Sequence, residues 1–252
     1  MSFTAGPEAY DRFMGRYSTP LAPRFADFAS IEEAQLVLDV GCGPGALTSE
    51  LVRRVGAESV SAVDPSPGFV EAAEQRNPGV DVRRAEAERL PFEDGVFDAA
   101  LAQLVVHFMS DPAAGLGEMR RVTRRGGVVA ACVWDHAGGA GPLARFWRAV
   151  RELDPEAADE SELPGAHEGD LERLLREAGL TDAEERLLTV EVEHESFEEW
   201  WEPFTLGIGP AGAYVQGLPQ DARDRLRERC RELHPAAPFA VSASAWAARG
   251  VV

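Results

Sequence analysis

Three glycines on alternate positions, Gly41, Gly43 and Gly45, follow an apolar run and an acidic residue, Asp39, within Leu36 to Thr48. A backbone that turns on glycine can approach a ligand with no Cβ in the way and deliver it to the N-terminal end of the helix that follows. The chemistry on offer is a cofactor cradle. The stretch GCGPGA also fits the dinucleotide pattern G-x-G-x-x-G/A if Ala46 is its last small residue. Asp39 favours the other choice, because an anion at the strand end is a poor neighbour for a pyrophosphate and a good one for a cation. A second carboxylate, Asp64, ends a short apolar strand about 20 positions further on, where βαβ folds put an acceptor for both ribose hydroxyls. That acceptor serves any adenosyl ligand.

An acidic residue followed by G-x-G-x-G, as in Asp39, Gly41, Gly43 and Gly45, resembles the first motif of the class I S-adenosylmethionine-dependent methyltransferases. Their cofactor carries both a sulfonium and an ammonium. The resemblance covers residues 36–134 and implies further roles. Asp64, with Pro65 after it, would hold the ribose. Glu86 in AEAERLPF would accept from the adenine amino group beside the backbone of Ala87. The family commonly has Asp where this chain has Glu86, which leaves Glu88 as a local alternative. The main-chain carbonyl of Gln103 would receive the methionine ammonium, and Tyr17 in GRYS would reach the methionine carboxylate. His107 would face the acceptor as a base or an orienting hydrogen-bond partner. For Tyr17 and His107, simple packing in an apolar stripe is the competing reading.

The elements that must position these residues read as an α/β chain with β and α alternating. Leu36, Val37, Leu38 and Val40 suit a central parallel strand covered on both faces. Ala46 to Val55 reads as a helix, 59–63 as a strand, 68–76 as a helix, 80–84 as a strand and 96–103 as a strand. A helix over 111–125 then turns at Gly126 and Gly127 into VVAACVW. Residues 7–30 form one or two helices, with Pro20 breaking the stripe of Tyr10, Phe13, Met14 and Tyr17. Beyond Trp134 the sequence predicts a helix over 143–153, a solvated acidic connection over 154–169, a helix over 170–178 and a strand over 184–194. A helix over 221–233 and a strand over 239–247 follow. The expected fold is a Rossmann-like seven-stranded methyltransferase sheet with helices on both faces, in a single domain spanning 1–252. It would have a helical cap at 1–30, a cofactor core at 36–134, and acceptor-side elaborations at 135–182 and 195–237. Trp200, Trp201, Phe204 and Tyr214 in the last of these suit either a lid over an apolar acceptor or an anchor to the core.

With 43 acidic against 25 basic residues and a formal net charge of −18, long-range electrostatics should repel nucleic acid and anionic membranes. No apolar run is long enough for a membrane span and no signal core opens the chain, so a cytoplasmic protein is expected. Cys42, Cys132 and Cys230 are few and widely spaced, and the five histidines are scattered, so neither a disulfide framework nor a metal site is expected. The expected activity is transfer of a methyl group from S-adenosylmethionine to an O, N or C atom of a small molecule. An NAD-dependent oxidoreductase and a noncatalytic adenosyl-binding protein are the alternatives.

Overall fold

A computed structural model describes residues 6–252; the first five residues of the expected cap lie outside the described residues. The chain opens with α1 (Pro7–Tyr10), which runs through a wide helical turn at Asp11–Gly15 into α2 (Arg16–Phe28). Strands and helices then alternate: β1 (Val37–Val40), α3 (Ala46–Val55), β2 (Val60–Asp64), α4 (Pro67–Arg76), β3 (Asp81–Arg84), β4 (Phe97–Gln103), α5 (Pro112–Val122) and β5 (Thr123–Trp134). After them come α6 (Ala144–Leu153), α7 (Asp170–Glu177), β6 (Thr181–His194), α8 (Phe197–Trp201), α9 (Gly209–Gly217), α10 (Gln220–Glu232) and β7 (Phe239–Val251).

All seven strands join one sheet in the order β3-β2-β1-β4-β5-β7-β6. The first five run parallel, and β7 is antiparallel to both β5 and β6. This is the expected doubly wound arrangement. Successive strand residues face opposite sides, so Val37, Ala99 and Leu101 enter the core beneath α2, α3 and α6. Leu38, Val40, Ala100 and Ala102 enter the one beneath α5 and α7. Because β1 lies between β2 and β4, the chain leaves it in one direction and returns on the other side. The crevice for a ligand opens at such a switch point, outside the carboxyl ends of the strands.

Three local expectations are corrected. Helix α2 continues through Pro20 and Pro23. An interior proline costs about 3 kcal/mol, and complete burial of Leu21 and Phe25 offsets it here. The Arg54 guanidinium also donates to the Pro23 carbonyl at 3.0 Å. Helix α5 stops at Val122, and the arginine run after it is extended. Thr123 pairs with Phe97 of β4, and Arg124 donates to the Asp98 carboxylate at 2.5 Å, so strand pairing overrides the helical preference of arginine. The last strand runs on to Val251, where it pairs with Thr181.

Trp200 and Trp201 are buried in the core. Trp200 lies against Phe204 and His234, and Phe204 stacks on Phe146 of α6 with ring centroids 4.5 Å apart. The aromatic segment is therefore anchored to the sheet domain by these rings. Helix α2 is tied to the same region. Arg16 reaches Nδ1 of His194 at 2.8 Å, and the Tyr17 hydroxyl lies 3.0 Å from Nε2. A guanidinium can only donate, so Nδ1 accepts and Nε2–H donates to Tyr17. No helix among the described residues is long and apolar enough to cross a membrane.

Truncation of a core tryptophan costs about 3 to 5 kcal/mol. Trp201→Ala should therefore lose that much in denaturant-monitored unfolding. A variant that unfolds with the parent would show that the ring is not part of the core.

Candidate functional site

Loops at the carboxyl ends of β1, β2, β3 and β4 enclose a cavity of about 470 Å³. Its floor is the glycine turn. Gly41 and Gly43 have φ of +70° and +52°, backbone positions that L side chains rarely take. A Cβ on Gly41 would stand 2.5 Å from the Val105 side chain, whereas the space beside Gly43 is open. Gly41 and Cys42 both donate their N–H to the Val63 carbonyl, which folds the turn back over β2.

Asp64 is the central polar group. Its Oδ2 accepts the Gly43 N–H at 2.9 Å and its Oδ1 the Ser66 N–H at 2.8 Å. Burial raises its carboxyl above the ordinary value and nearby Glu86 adds to the rise, while the two N–H donors oppose it. Each oxygen retains acceptor capacity toward the cavity. Pro65, Glu86, Ala87, Glu88 and Gln103 also line it. Glu86 is exposed. Glu88 accepts the Asp111 N–H at 3.1 Å, which turns part of its carboxylate away. The Gln103 amide donates to the Ser18 carbonyl at 3.1 Å, and its buried Oε1 has no hydrogen-bond partner among the described residues.

Two further expected residues support the cradle from behind and are not part of its wall. Gly45 begins α3 with φ of +93°. Asp39 is buried beneath the turn, where Thr48 donates to its Oδ2 at 2.6 Å and Oδ1 has no hydrogen-bond partner among the described residues. Burial pushes its carboxyl up to about 7. Tyr17 is not brought to the cavity either, since its hydroxyl is engaged by His194. The tyrosine that lines the cavity is Tyr10, which meets Phe69 edge-on at 5.4 Å. Its phenol is raised by burial and by the charge of Asp64.

His107 lies in a second, smaller cavity of about 40 Å³. Tyr10, Leu104 and Phe108 belong to both cavities and form the partition between them. Leu104 holds a left-handed φ of +63°, rare for a non-glycine residue and often found at functional sites. The second cavity is lined by Phe13, Met14, Leu143 and Ile208, together with His107, His136, Trp134 and Glu160. Nδ1 of His107, Nε2 of His136 and Nε1 of Trp134 are buried with no hydrogen-bond partner among the described residues. Burial holds both imidazoles neutral, His107 well below its ordinary value and His136 at about 4.

Glu160 corrects the reading of 154–169 as a solvated connection. It is 4% exposed, accepts the Trp147 indole N–H at 2.7 Å, and is pushed up to about 7 by burial. Its position in a run of acidic residues concealed it. The pairing with Trp147 is a long-range contact with no local sequence signal.

Residues 38–131 match the family described as a methyltransferase domain. The seven-stranded sheet around them is that of the class I S-adenosylmethionine-dependent methyltransferases. The chain is 32% identical to the malonyl-(acyl-carrier protein) O-methyltransferase of Serratia marcescens over 162 residues, 62% of this chain and 61% of that protein. The curated relatives are thus matched over less than two thirds of their length. Among solved structures, the YcgJ protein of Bacillus subtilis superposes with a TM-score of 0.58 at 19% identity, covering 93% of this chain and 97% of that one. The cyclase SpnF superposes with a TM-score of 0.56 at 18% identity, over 92% and 81%. S-adenosylmethionine is the cofactor of the methyltransferase class, and the residues fit it. Gly43 leaves room for close backbone approach, Asp64 keeps acceptors for two hydroxyls, and the Asp39 carboxyl lies behind the cradle.

The raised carboxyl of Glu160 makes a prediction about stability. A group whose folded value lies above its unfolded one contributes stability that is complete below about pH 4.5 and is lost as pH rises through about 7. Glu160→Gln removes that titration and can keep the acceptor for Trp147. Relative to the parent, the variant should gain roughly 3 kcal/mol in unfolding free energy across this window, at about 1.4 kcal/mol per pKa unit. Parallel pH dependences would contradict the buried, ionisable assignment.

Proposed function

We propose that the chain transfers a methyl group from S-adenosylmethionine to an O, N or C atom of a small molecule. The observation that carries this reading is a ribose-ready carboxylate, Asp64, in a cavity joined through Tyr10, Leu104 and Phe108 to a second, mostly apolar one. In the reading, Asp64 accepts from the ribose hydroxyls, with Pro65 beside it. Glu86 and the Ala87 backbone meet the adenine, and the Gln103 main chain meets the methionine ammonium. Tyr10 covers the cofactor in the place expected of Tyr17. When ionised, Asp39 behind the glycines disfavours a pyrophosphate and so an NAD-dependent enzyme.

The bound cofactor supplies an electrophilic methyl group on a sulfonium, so the chain's own residues need mainly to position the acceptor and exclude water. Tyr10, Leu104 and Phe108 stand where the two ligands would meet, and the neutral imidazole of His107 on the acceptor side can orient or take a proton. The net charge of −18 favours a small acceptor over nucleic acid. The name of the Serratia relative gives an acyl-carrier O-methyl acceptor for that protein. The cyclase on the same fold makes turnover the deciding observation.

Calorimetric titration should show binding of S-adenosylhomocysteine and none of NAD. Asp64→Ala should weaken that binding at least about tenfold, since hydrogen bonds to a charged acceptor are worth about 1.5 to 3 kcal/mol each. Incubation with methyl-labelled S-adenosylmethionine and a metabolite extract should yield S-adenosylhomocysteine and a labelled small product. Preference for NAD, or cofactor binding with no labelled product, would overturn the reading.

A further inference from the structure

The second cavity has an unusual set of polar groups for its size. Glu160 is a buried carboxyl, and the neighbouring charge acting on it is another carboxylate, Asp159, which Arg151 already engages at 2.6 Å. No arginine of the described residues lines the cavity, and the chain contains no lysine. His107 and His136 add two neutral imidazoles with ring centroids 5.9 Å apart, each with one buried nitrogen that has no hydrogen-bond partner among the described residues. Buried polar atoms of this kind are normally satisfied, so a cluster of them beside a cavity calls for a partner there. The rest of the wall is aromatic or aliphatic.

These groups differ in what they would recognise. A carboxylate ligand would meet Glu160 with no cation to offset the repulsion. A hydroxyl offers a single donor and would leave most of the acceptors unused. An ammonium has several donors and a positive charge, which suits a carboxyl and imidazoles whose tautomers can present an acceptor nitrogen, and aromatic walls favour a cation further. The Trp134 indole N–H can then serve one acceptor atom elsewhere on the ligand.

We propose that the second cavity is the methyl-acceptor site and that it selects a small primary or secondary amine on an apolar body. This rests on the cofactor reading of the first cavity. The bound ammonium's charge keeps Glu160 ionised, and that carboxylate takes one proton from it. The freed nitrogen lone pair forms the new C–N bond as the methyl C–S bond breaks, and that bond's electron pair stays on sulfur. The products are the N-methylated ammonium and S-adenosylhomocysteine. At about 40 Å³ the cavity admits only the amine head. The apolar body needs room beyond it, which a shift of the lining segment Ile208–Ala211 would supply.

The test uses the full chain saturated with S-adenosylhomocysteine and three probes of one shape: phenethylamine, phenethyl alcohol and phenylacetate. Calorimetry should show the amine binding at least about tenfold more tightly than either of the others. Glu160→Gln, with S-adenosylhomocysteine affinity unchanged, should reduce that preference to within about threefold. His107→Asn, as a second variant, should also weaken the amine. If S-adenosylhomocysteine binds but the alcohol or the acid binds as well as the amine, or none of the probes binds, the amine proposal is overturned and the cofactor reading stands. If S-adenosylhomocysteine itself does not bind, the cofactor reading fails and takes this proposal with it.

Discussion

The structure around the site depends on satisfying one buried carboxylate. Asp64 ends β2 at 6% exposure, and a charge in that position must find donors. It finds the N–H of Gly43 from one loop and of Ser66 from another. The Gly43 bond holds the β1 loop to the end of β2 at the switch point of the sheet, and the Ser66 bond braces the turn that Asp64 begins. The glycine turn can supply its donor only because Gly41 and Gly43 take left-handed φ values. The cradle and its acidic anchor are therefore one device.

The partition of Tyr10, Leu104 and Phe108 separates two environments of different character. On one side the wall carries charged side chains, with Arg84, Glu86 and Glu88 joining Asp64 in the lining. On the other, imidazoles and a carboxyl sit among apolar side chains and are held toward their neutral forms by burial. Such a pairing suits a reaction in which a charged cofactor meets an acceptor sheltered from water. The N-terminal helices make the arrangement possible. Arg16 and Tyr17 bond His194 at the end of β6, and Arg249 donates to the Phe28 carbonyl at 2.8 Å, so α2, which continues the segment that carries Tyr10, is fastened at both its ends.

The first half of the chain was legible because its signals are local. Short apolar strands, glycines with special backbone needs and carboxylates at strand ends each declare themselves within a few residues, and β1 to β4 lie where the pattern puts them, while β5 starts earlier, at Thr123. Tyr17 was harder. It stands seven residues after Tyr10, two helical turns or about 10 Å, on the same apolar stripe. Only the tertiary partner His194 distinguishes which of the two lines the cavity. The second half was legible as elements but less so in its contacts. Glu160 resembles its acidic neighbours until Trp147 is seen beside it. Trp200 and Trp201 fit a lid and a core equally well until Phe204 and His234 are placed around them. Pro20 would stop an isolated helix, and only the burial of α2 against the sheet carries the helix through it.

The central claim, that the cavity at the ends of β1 to β4 holds an adenosyl cofactor, is tested most directly by a crystal structure of the chain grown with S-adenosylhomocysteine. The account predicts both ribose hydroxyls within hydrogen-bond distance of the Asp64 carboxylate, adenine beside Glu86 and Ala87, and sulfur facing Tyr10, Leu104 and Phe108. A ligand seated elsewhere, or one whose ribose does not engage Asp64, would contradict it.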